Sequence, residues 1–142
     1  MKLLISGLIL LFSQLTLAQS DVPGFDIELK NLKTGIVSTE RELCTSRTGG
    51  FLKGECEFQI DSILSVKVTY QMTEEDDQTT PTYDPTYEFK TVLYTTATNE
   101  VHAEEATNAK FPNCEDKRIY FQRMFKDASG EFKLLKTGCW FN

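Results

Sequence analysis

Apolar and polar side chains alternate along residues 56–72, and apolar types occupy nearly all of the even-numbered positions. A period of two held over this length is typical of β-strands with one buried face. A single straight strand would exceed roughly 50 Å, which is more than a small domain spans. We therefore predict a bend or tight turn near Asp61 and Ser62. The positions predicted to face the core are Cys56, Phe58, Ile60, Ser62, Leu64, Val66, Val68, Tyr70 and Met72.

Two further segments, 25–30 and 87–94, alternate in the same way and are predicted to be half-buried strands. Residues 31–35 are rich in turn-forming types, and residues 36–43 carry a weaker β pattern. About seven short strands separated by turns favour a mainly β protein, an antiparallel β-sandwich rather than a barrel.

Two stretches lack the alternation of a strand. Residues 73–86 are acidic, rich in threonine and interrupted by proline, which predicts an exposed loop. Residues 98–110 contain several alanines after Thr98 and Asn99, either of which can cap a helix, so we expect a short helix there.

The C-terminal residues predict a β-hairpin with strands at 118–126 and 131–141. An aspartate at the start of the connecting turn, Asp127, and a glycine at its end, Gly130, fit a type I turn closed by a bulge. If Asp127 pairs with Glu131, one face of the hairpin collects Ile119, Phe121, Phe125, Leu135 and Cys139. The opposite face then carries Tyr120, Met124, Phe132, Leu134 and Trp140.

The N-terminal residues have the three parts of a secretion signal. A lysine at position 2 precedes the largely apolar run 3–12, and Thr16-Leu17-Ala18 offers a cleavage site before a polar stretch. We predict a signal peptide over 1–18 and one secreted, extracellular all-β domain over 19–142. No later segment is apolar and long enough to predict a membrane span.

Four cysteines follow the predicted signal, at 44, 56, 114 and 139, and an even count in a small exported chain predicts two disulfides. Their wide spacing does not fit a zinc site, which needs close pairs. Pairing of 44 with 56 and of 114 with 139 is favoured, although the crossing pairings stay open. A straight strand would hold Cys114 about 16 Å from Cys139, so their bond requires a turn at 111–113.

The chain is acidic, with 15 basic and 21 acidic residues and a net charge of −6. Loss of residues 1–18 would remove one lysine and no acid and make the charge −7. Such a protein is repelled by nucleic-acid phosphates, so no nucleic-acid partner is predicted. No nucleophile or phosphate-binding motif occurs, and no metal or cofactor is predicted.

The absence of catalytic motifs favours a secreted, non-enzymatic binding protein, such as a host-directed effector, a toxin-like protein or a recognition module. Its partner is expected to be an extracellular or host protein. The partner surface is predicted to lie in one of two places: on the hairpin face with Tyr120, Met124, Leu134 and Trp140, or on the acidic loop with Glu74, Glu75, Asp76 and Asp77. The alternative is a small secreted hydrolase, nuclease-like or glycosidase-like, with unidentified carboxylates. The other side chains that could take part in such a hydrolase site are His102, Arg118, Tyr120 and Arg123.

We predict that the secreted product begins at Gln19, because the small residue Ala18 ends the cleavage site. The intact mass of the protein recovered from the medium measures this directly. A soluble extracellular form that keeps residues 1–18 would contradict the assignment.

Overall fold

The computed structural model describes residues 22–76, 78–79, 81, 84–110, 114 and 119–140, and these form two antiparallel sheets that pack face to face. The predicted antiparallel β-sandwich is confirmed, with nine strands in the described ranges instead of about seven. The strands are β1 (Gly24–Asn31), β2 (Val37–Thr39), β3 (Ser46–Gly49), β4 (Lys53–Gln59), β5 (Leu64–Glu74), β6 (Thr86–Thr95), β7 (Val101–Lys110), β8 (Ile119–Lys126) and β9 (Phe132–Trp140). A short helix, α1 (Glu40–Leu43), follows β2.

The two sheets differ in how their strands follow one another in the chain. The five-stranded sheet has the order β3-β4-β5-β6-β7, so each strand pairs with its neighbours in sequence. The four-stranded sheet has the order β2-β1-β9-β8, so the first and last strands lie side by side. Within this pair, Phe25 lies opposite Cys139 and Leu29 opposite Leu135.

The long alternating segment forms β4 and β5, and the predicted turn near Asp61 is confirmed. The Asp61 carboxylate accepts the backbone N–H groups of Ile63 and Leu64, both at 2.8 Å, which fixes the reversal of the chain. Most of the predicted inward positions are buried, whereas Ser62 is exposed because it lies in the turn.

Aromatic side chains from both sheets meet in the core. Phe25 of the four-stranded sheet lies 5.2 Å from Tyr70 of the five-stranded sheet, measured between ring centroids. Tyr70 also contacts Tyr87 edge-on at 5.8 Å and Phe89 at 6.1 Å. Aromatic pairs at these distances contribute about 0.5–1.5 kcal/mol each beyond the burial of their area.

Two polar contacts also join the sheets. The hydroxyls of Thr91 and Thr137 form a hydrogen bond inside the core. At one end of the sandwich, Asp61 accepts the backbone N–H of Ala128 at 2.6 Å and so ties the β4–β5 turn to the β8–β9 turn. Burial alone would raise the pKa of Asp61, but hydrogen bonds from Ala128, Leu64 and Ile63 outweigh it and lower the pKa.

Both favoured disulfides are confirmed. Cys44 bonds to Cys56 with their Cα atoms 5.6 Å apart, and Cys114 bonds to Cys139 with their Cα atoms 5.2 Å apart. No cysteine is free. Cys56, Cys114 and Cys139 are fully buried. The predicted turn at 111–113 lies outside the described residues.

The helix predicted over residues 98–110 is wrong, because most of this stretch is β7. Two of its alanines face the core from an edge strand: Ala103 lies opposite Leu93, and the buried Ala109 lies opposite Tyr87. Ala106 lies opposite Lys90 and is exposed. The chain reaches β7 through a turn in which Asn99 adopts a positive φ of 58°, a conformation that asparagine tolerates. Hydrogen bonding to β6 thus overrides the helix propensity of the alanines.

The weak β segment predicted over 36–43 is only half correct. Its first part forms β2, but the chain then turns into α1. Glu42 accepts the backbone N–H of Thr39 at 2.9 Å, which satisfies a donor at the start of the helix. Thr39 and Glu42, a hydroxyl and an acidic residue three positions apart, are therefore a helix-capping signal within a segment whose pattern predicted a strand.

The C-terminal hairpin forms as predicted at its turn but shifts register at its open end. Asp127 donates its N–H to the carbonyl of Glu131, and Phe121 lies opposite Thr137. A bulge between Ile119 and Phe121 then places Ile119 opposite Gly138 rather than Cys139. Ile119 is consequently 53% exposed, so its predicted place on the inner face is wrong.

The Asp127 carboxylate organises the hairpin turn. It accepts the Ser129 hydroxyl at 2.6 Å and the backbone N–H groups of Ser129 and Glu131 at 3.0 and 2.9 Å, and it lies 2.9 Å from the Lys133 ammonium. The hydrogen bond from Ser129 and then that from Lys133 hold the pKa of Asp127 well below its ordinary value of 3.8.

The substitution Asp127→Asn is expected to lower the free energy of unfolding at neutral pH. Because the folded-state pKa is depressed, the stabilisation is complete above the unfolded pKa of about 3.9 and declines as the pH falls toward the folded value. Urea unfolding of both proteins should therefore give a stability gap that shrinks below about pH 4. Glu100→Gln, at an exposed site, is the matched control. A gap of equal size at pH 7 and pH 2.5 would contradict this account.

Thiol titration of the denatured, unreduced protein is expected to detect essentially no free thiol. Reduction should cost the fold about 2–5 kcal/mol per disulfide, as is typical of small domains. Urea unfolding with and without reductant measures the loss. Retention of full stability after complete reduction would show that the bonds are dispensable.

Candidate partner-binding surface

The outer face of the four-stranded sheet carries large apolar side chains on three of its strands, β2, β9 and β8, whereas β1 contributes Lys30 to the same row. The register places Met124 opposite Leu134, Leu134 opposite Lys30, and Lys30 opposite Val37. Met124 is 58% exposed, Val37 is also exposed, and Leu134 is half-buried. This face is called the apolar sheet face below. Of the predicted hairpin residues, Met124 and Leu134 are therefore brought together on it.

The row extends toward the β8–β9 turn. Phe132 is exposed, and the ammonium of Lys126 lies 5.0 Å from the centre of its ring, within the range of a cation–π contact. The backbone N–H of Leu32 donates to the carbonyl of Phe132 at 3.0 Å, which places a second exposed apolar side chain beside the ring. A surface groove of about 540 Å³ lies here, and it is lined by Leu32, Lys33, Ser129, Gly130, Glu131 and Phe132.

Trp140, the single tryptophan, lies at the other end of the apolar sheet face. It is paired with Gly24 of β1, and its indole covers that glycine so closely that an added Cβ would lie 2.8 Å from the ring. The contact leaves Trp140 half-buried. Its fluorescence therefore reports on this end of the surface.

Tyr120 does not lie on the apolar sheet face, so its predicted place there is wrong. The bulge beside Ile119 turns Tyr120 inward, where its ring stacks on Phe89 at 5.7 Å. Its hydroxyl lies 3.2 Å from the sulfur of Cys139. Ile119 takes the outward position instead. A bulge adds one residue to the strand and so reverses the inward and outward positions beyond it, and an alternation pattern does not reveal where this happens.

The outer face of the five-stranded sheet has a different chemistry. Lys67 pairs with Glu55 at 3.7 Å, and Lys90 pairs with Glu104 at 2.7 Å. Tyr94 donates to Glu57 beside them, and its pKa is raised by burial and by this hydrogen bond. Cross-strand polar pairs thus cover much of this sheet, and Val92, Tyr94 and Val101 line a groove of about 240 Å³ beside them.

Lysines accompany the apolar side chains of the four-stranded sheet. Lys30, Lys126 and Lys136 lie at outward positions, against Asp26 and Glu28. The face is therefore slightly basic, although the chain as a whole has a net charge of −6.

The acidic loop predicted as the alternative contact region is described in part. Glu74 ends β5, Glu75 is exposed and Asp76 is half-buried, whereas Asp77 lies outside the described residues. Glu75 and Asp76 line a groove of about 190 Å³ together with Phe51, Leu52, Met72 and Gln78. The sequence pattern does not predict that residues 51 and 52 lie beside this loop, because their position depends on how the β3–β4 turn packs in the fold.

Two of the residues proposed for a hydrolase, His102 and Tyr120, lie far apart in the part of the chain that the structure describes. His102 is exposed near the start of β7 and contacts the Thr95 hydroxyl at 2.6 Å. Tyr120 stacks on Phe89, whose partner in β7 is Thr107, about 17 Å along the strand from His102. Arg118 lies outside the described residues. Within the described ranges, no three His, Cys, Asp or Glu side chains cluster as metal ligands.

The described helix is too short to cross a membrane, and the described ranges contain no other candidate helix for such a span. The chain matches no protein-family model, and neither the curated proteins nor the solved structures include a significant match.

The substitution Gly24→Ala is expected to displace the indole of Trp140, because the new Cβ would overlap the ring. Overpacking of this kind costs about 1–3 kcal/mol. The fluorescence emission of Trp140 should shift to longer wavelength as the ring becomes more exposed. Gly50→Ala, where the added Cβ would lie 4.0 Å from the carbonyl oxygen of Lys53, is the control and should leave the spectrum unchanged. Identical spectra for both variants would contradict the contact.

Proposed function

We propose that this chain is a secreted, extracellular binding protein that recognises another protein through the apolar sheet face. The observation that carries the proposal is the row of exposed Met124, half-buried Leu134 and exposed Val37 across a rigid sheet, with Phe132 beside it. Grouped apolar side chains on a soluble protein mark interaction surfaces, whereas scattered ones do not.

The arrangement suits a protein partner. Aromatic residues and methionine are enriched in the centres of protein interfaces. Lys126 and Lys136 flank Met124 and Leu134 as part of a polar rim, whereas Lys30 lies within the row, between Leu134 and Val37. Hydrogen-bonded strands hold the side chains in place before binding, so little conformational entropy is lost when the partner arrives. The outer face of the other sheet carries an apolar group of its own, Val92, Tyr94 and Val101, but Glu57 and Lys67 line the same groove.

The two disulfides are compatible with an extracellular location. The predicted signal peptide, which lies outside the described residues, supports secretion. The partner is therefore expected among extracellular or host proteins.

The proposal is tested by capturing partners with the immobilised secreted protein and then measuring the affinity of each for surface variants. Met124→Gln and Phe132→Gln together should weaken binding about 30-fold or more, since loss of central anchors costs about 2 kcal/mol or more. Ile63→Gln and Val101→Gln, at about equally exposed apolar sites on the other sheet, are the matched controls and should bind normally. Leu134→Gln should also weaken binding, and His102→Ala should have no effect.

A genuine partner should also change the fluorescence of Trp140 on binding, because this side chain borders the surface. The proposal is wrong if the variants of the apolar sheet face bind every captured partner normally. Loss of a catalytic activity in His102→Ala alone would instead support the hydrolase alternative.

A further inference from the structure

The loop between β3 and β4 presents two consecutive large apolar side chains to solvent. Phe51 is 42% exposed and Leu52 is 62% exposed. The loop, residues 50–52, belongs to the five-stranded sheet and is thus separate from the apolar sheet face.

Two buried tyrosines hold this loop in place. The hydroxyl of Tyr70 donates to the carbonyl of Gly50, and that of Tyr87 donates to the carbonyl of Phe51, both at 2.7 Å. The backbone N–H of Met72 donates to the carbonyl of Leu52 at 2.7 Å. Three consecutive carbonyls are therefore fixed by the core and by β5.

The position of Tyr70 depends in turn on Gly54. A Cβ at residue 54 would lie 2.4 Å from the Tyr70 ring, so only glycine lets the ring pass beneath β4. A loop held in this way keeps its apolar side chains exposed in one conformation, which lowers the entropic cost of binding.

The apolar pair forms one wall of the groove of about 190 Å³ that Met72, Glu75, Asp76 and Gln78 complete. Among the described residues, no lysine or arginine pairs with Glu74, Glu75 or Asp76. The nearby Lys53 lines a different groove, together with Glu55 and Glu88. The Asp76 carboxylate accepts the backbone N–H of Asp84 at 3.4 Å, and Asp84 in turn pairs with Lys110. The groove therefore combines apolar contact area with carboxylates that no lysine or arginine of the described residues contacts directly.

We infer that this groove is a second docking site, which binds an extended segment of a partner protein with a large apolar residue next to lysine or arginine. The apolar side chain would contact Phe51, Leu52 and Met72, and the cation would pair with Glu75 and Asp76. The negative charge disfavours the competing occupant, a membrane surface, because anionic headgroups would be repelled.

The probe for this site is a nine-residue peptide with one leucine flanked by two lysines in a Gly/Ser background. Titration followed by NMR should shift the methyl signals of Leu52 and Met72. A peptide with glutamates in place of the lysines, and one with serine in place of the leucine, should bind at least about fivefold more weakly. Raising the salt concentration should weaken binding of the lysine peptide.

Two pairs of variants with matched controls locate the site. Leu52→Ser should weaken binding of the lysine peptide, and Ile63→Ser, at another exposed turn, should not. Glu75→Gln with Asp76→Asn should also weaken it, whereas Glu100→Gln with Glu105→Gln should leave it unchanged. Because the Leu52 side chain is exposed, its replacement is expected to leave the fold intact. NMR spectra of each free variant verify this.

Equal binding of the lysine and glutamate peptides would overturn the inference. So would an equal effect of the control neutralisations, which would reveal attraction by net charge alone. Binding to phosphatidylcholine vesicles that depends on Leu52 would identify a membrane contact instead. None of these results depends on Trp140 or Met124, so failure here is distinguishable from failure of the proposed function.

Discussion

Burial of Tyr70 is the constraint on which most of the sandwich depends. Its ring contacts Phe25 of the opposite sheet and Tyr87 of the adjacent strand, and it is almost completely excluded from solvent. A buried hydroxyl needs a partner, and that of Tyr70 finds one at the carbonyl of Gly50. Burial raises the pKa of this hydroxyl, which keeps it a hydrogen-bond donor. The core and the β3–β4 loop are consequently parts of one packing arrangement.

The sequence predicts a strand well where one face of the strand is buried and the other is exposed to solvent. Residues 56–72 satisfy this condition, so both their strand character and their turn at Asp61 followed from the pattern. β7 does not, because an edge strand needs only small inward side chains such as Ala103 and Ala109, which also suit a helix. Alternation carries no information where burial is shallow.

The candidate surface was predictable in part for a similar reason. Met124 and Leu134 lie opposite each other because the Asp127 turn sets the register, and that turn is encoded locally. Tyr120 was predicted on the wrong face because the bulge beside it turns its side chain inward, where it packs against Phe89 and Cys139. The loop residues Phe51 and Leu52 were missed because their exposure is imposed by hydrogen bonds from tyrosines distant in sequence.

The different strand orders of the two sheets imply an order of assembly. Every strand of the five-stranded sheet pairs with a sequence neighbour, and the 44–56 disulfide closes a loop of short sequence separation beside it. This half can therefore fold before the rest of the chain is available, since local contacts require little loop closure. The four-stranded sheet cannot follow until β9 is available to pair with β1. A nascent chain halted before residue 132 would thus expose the inner face of a finished sheet, a surface that chaperones recognise and that aggregates when they are absent.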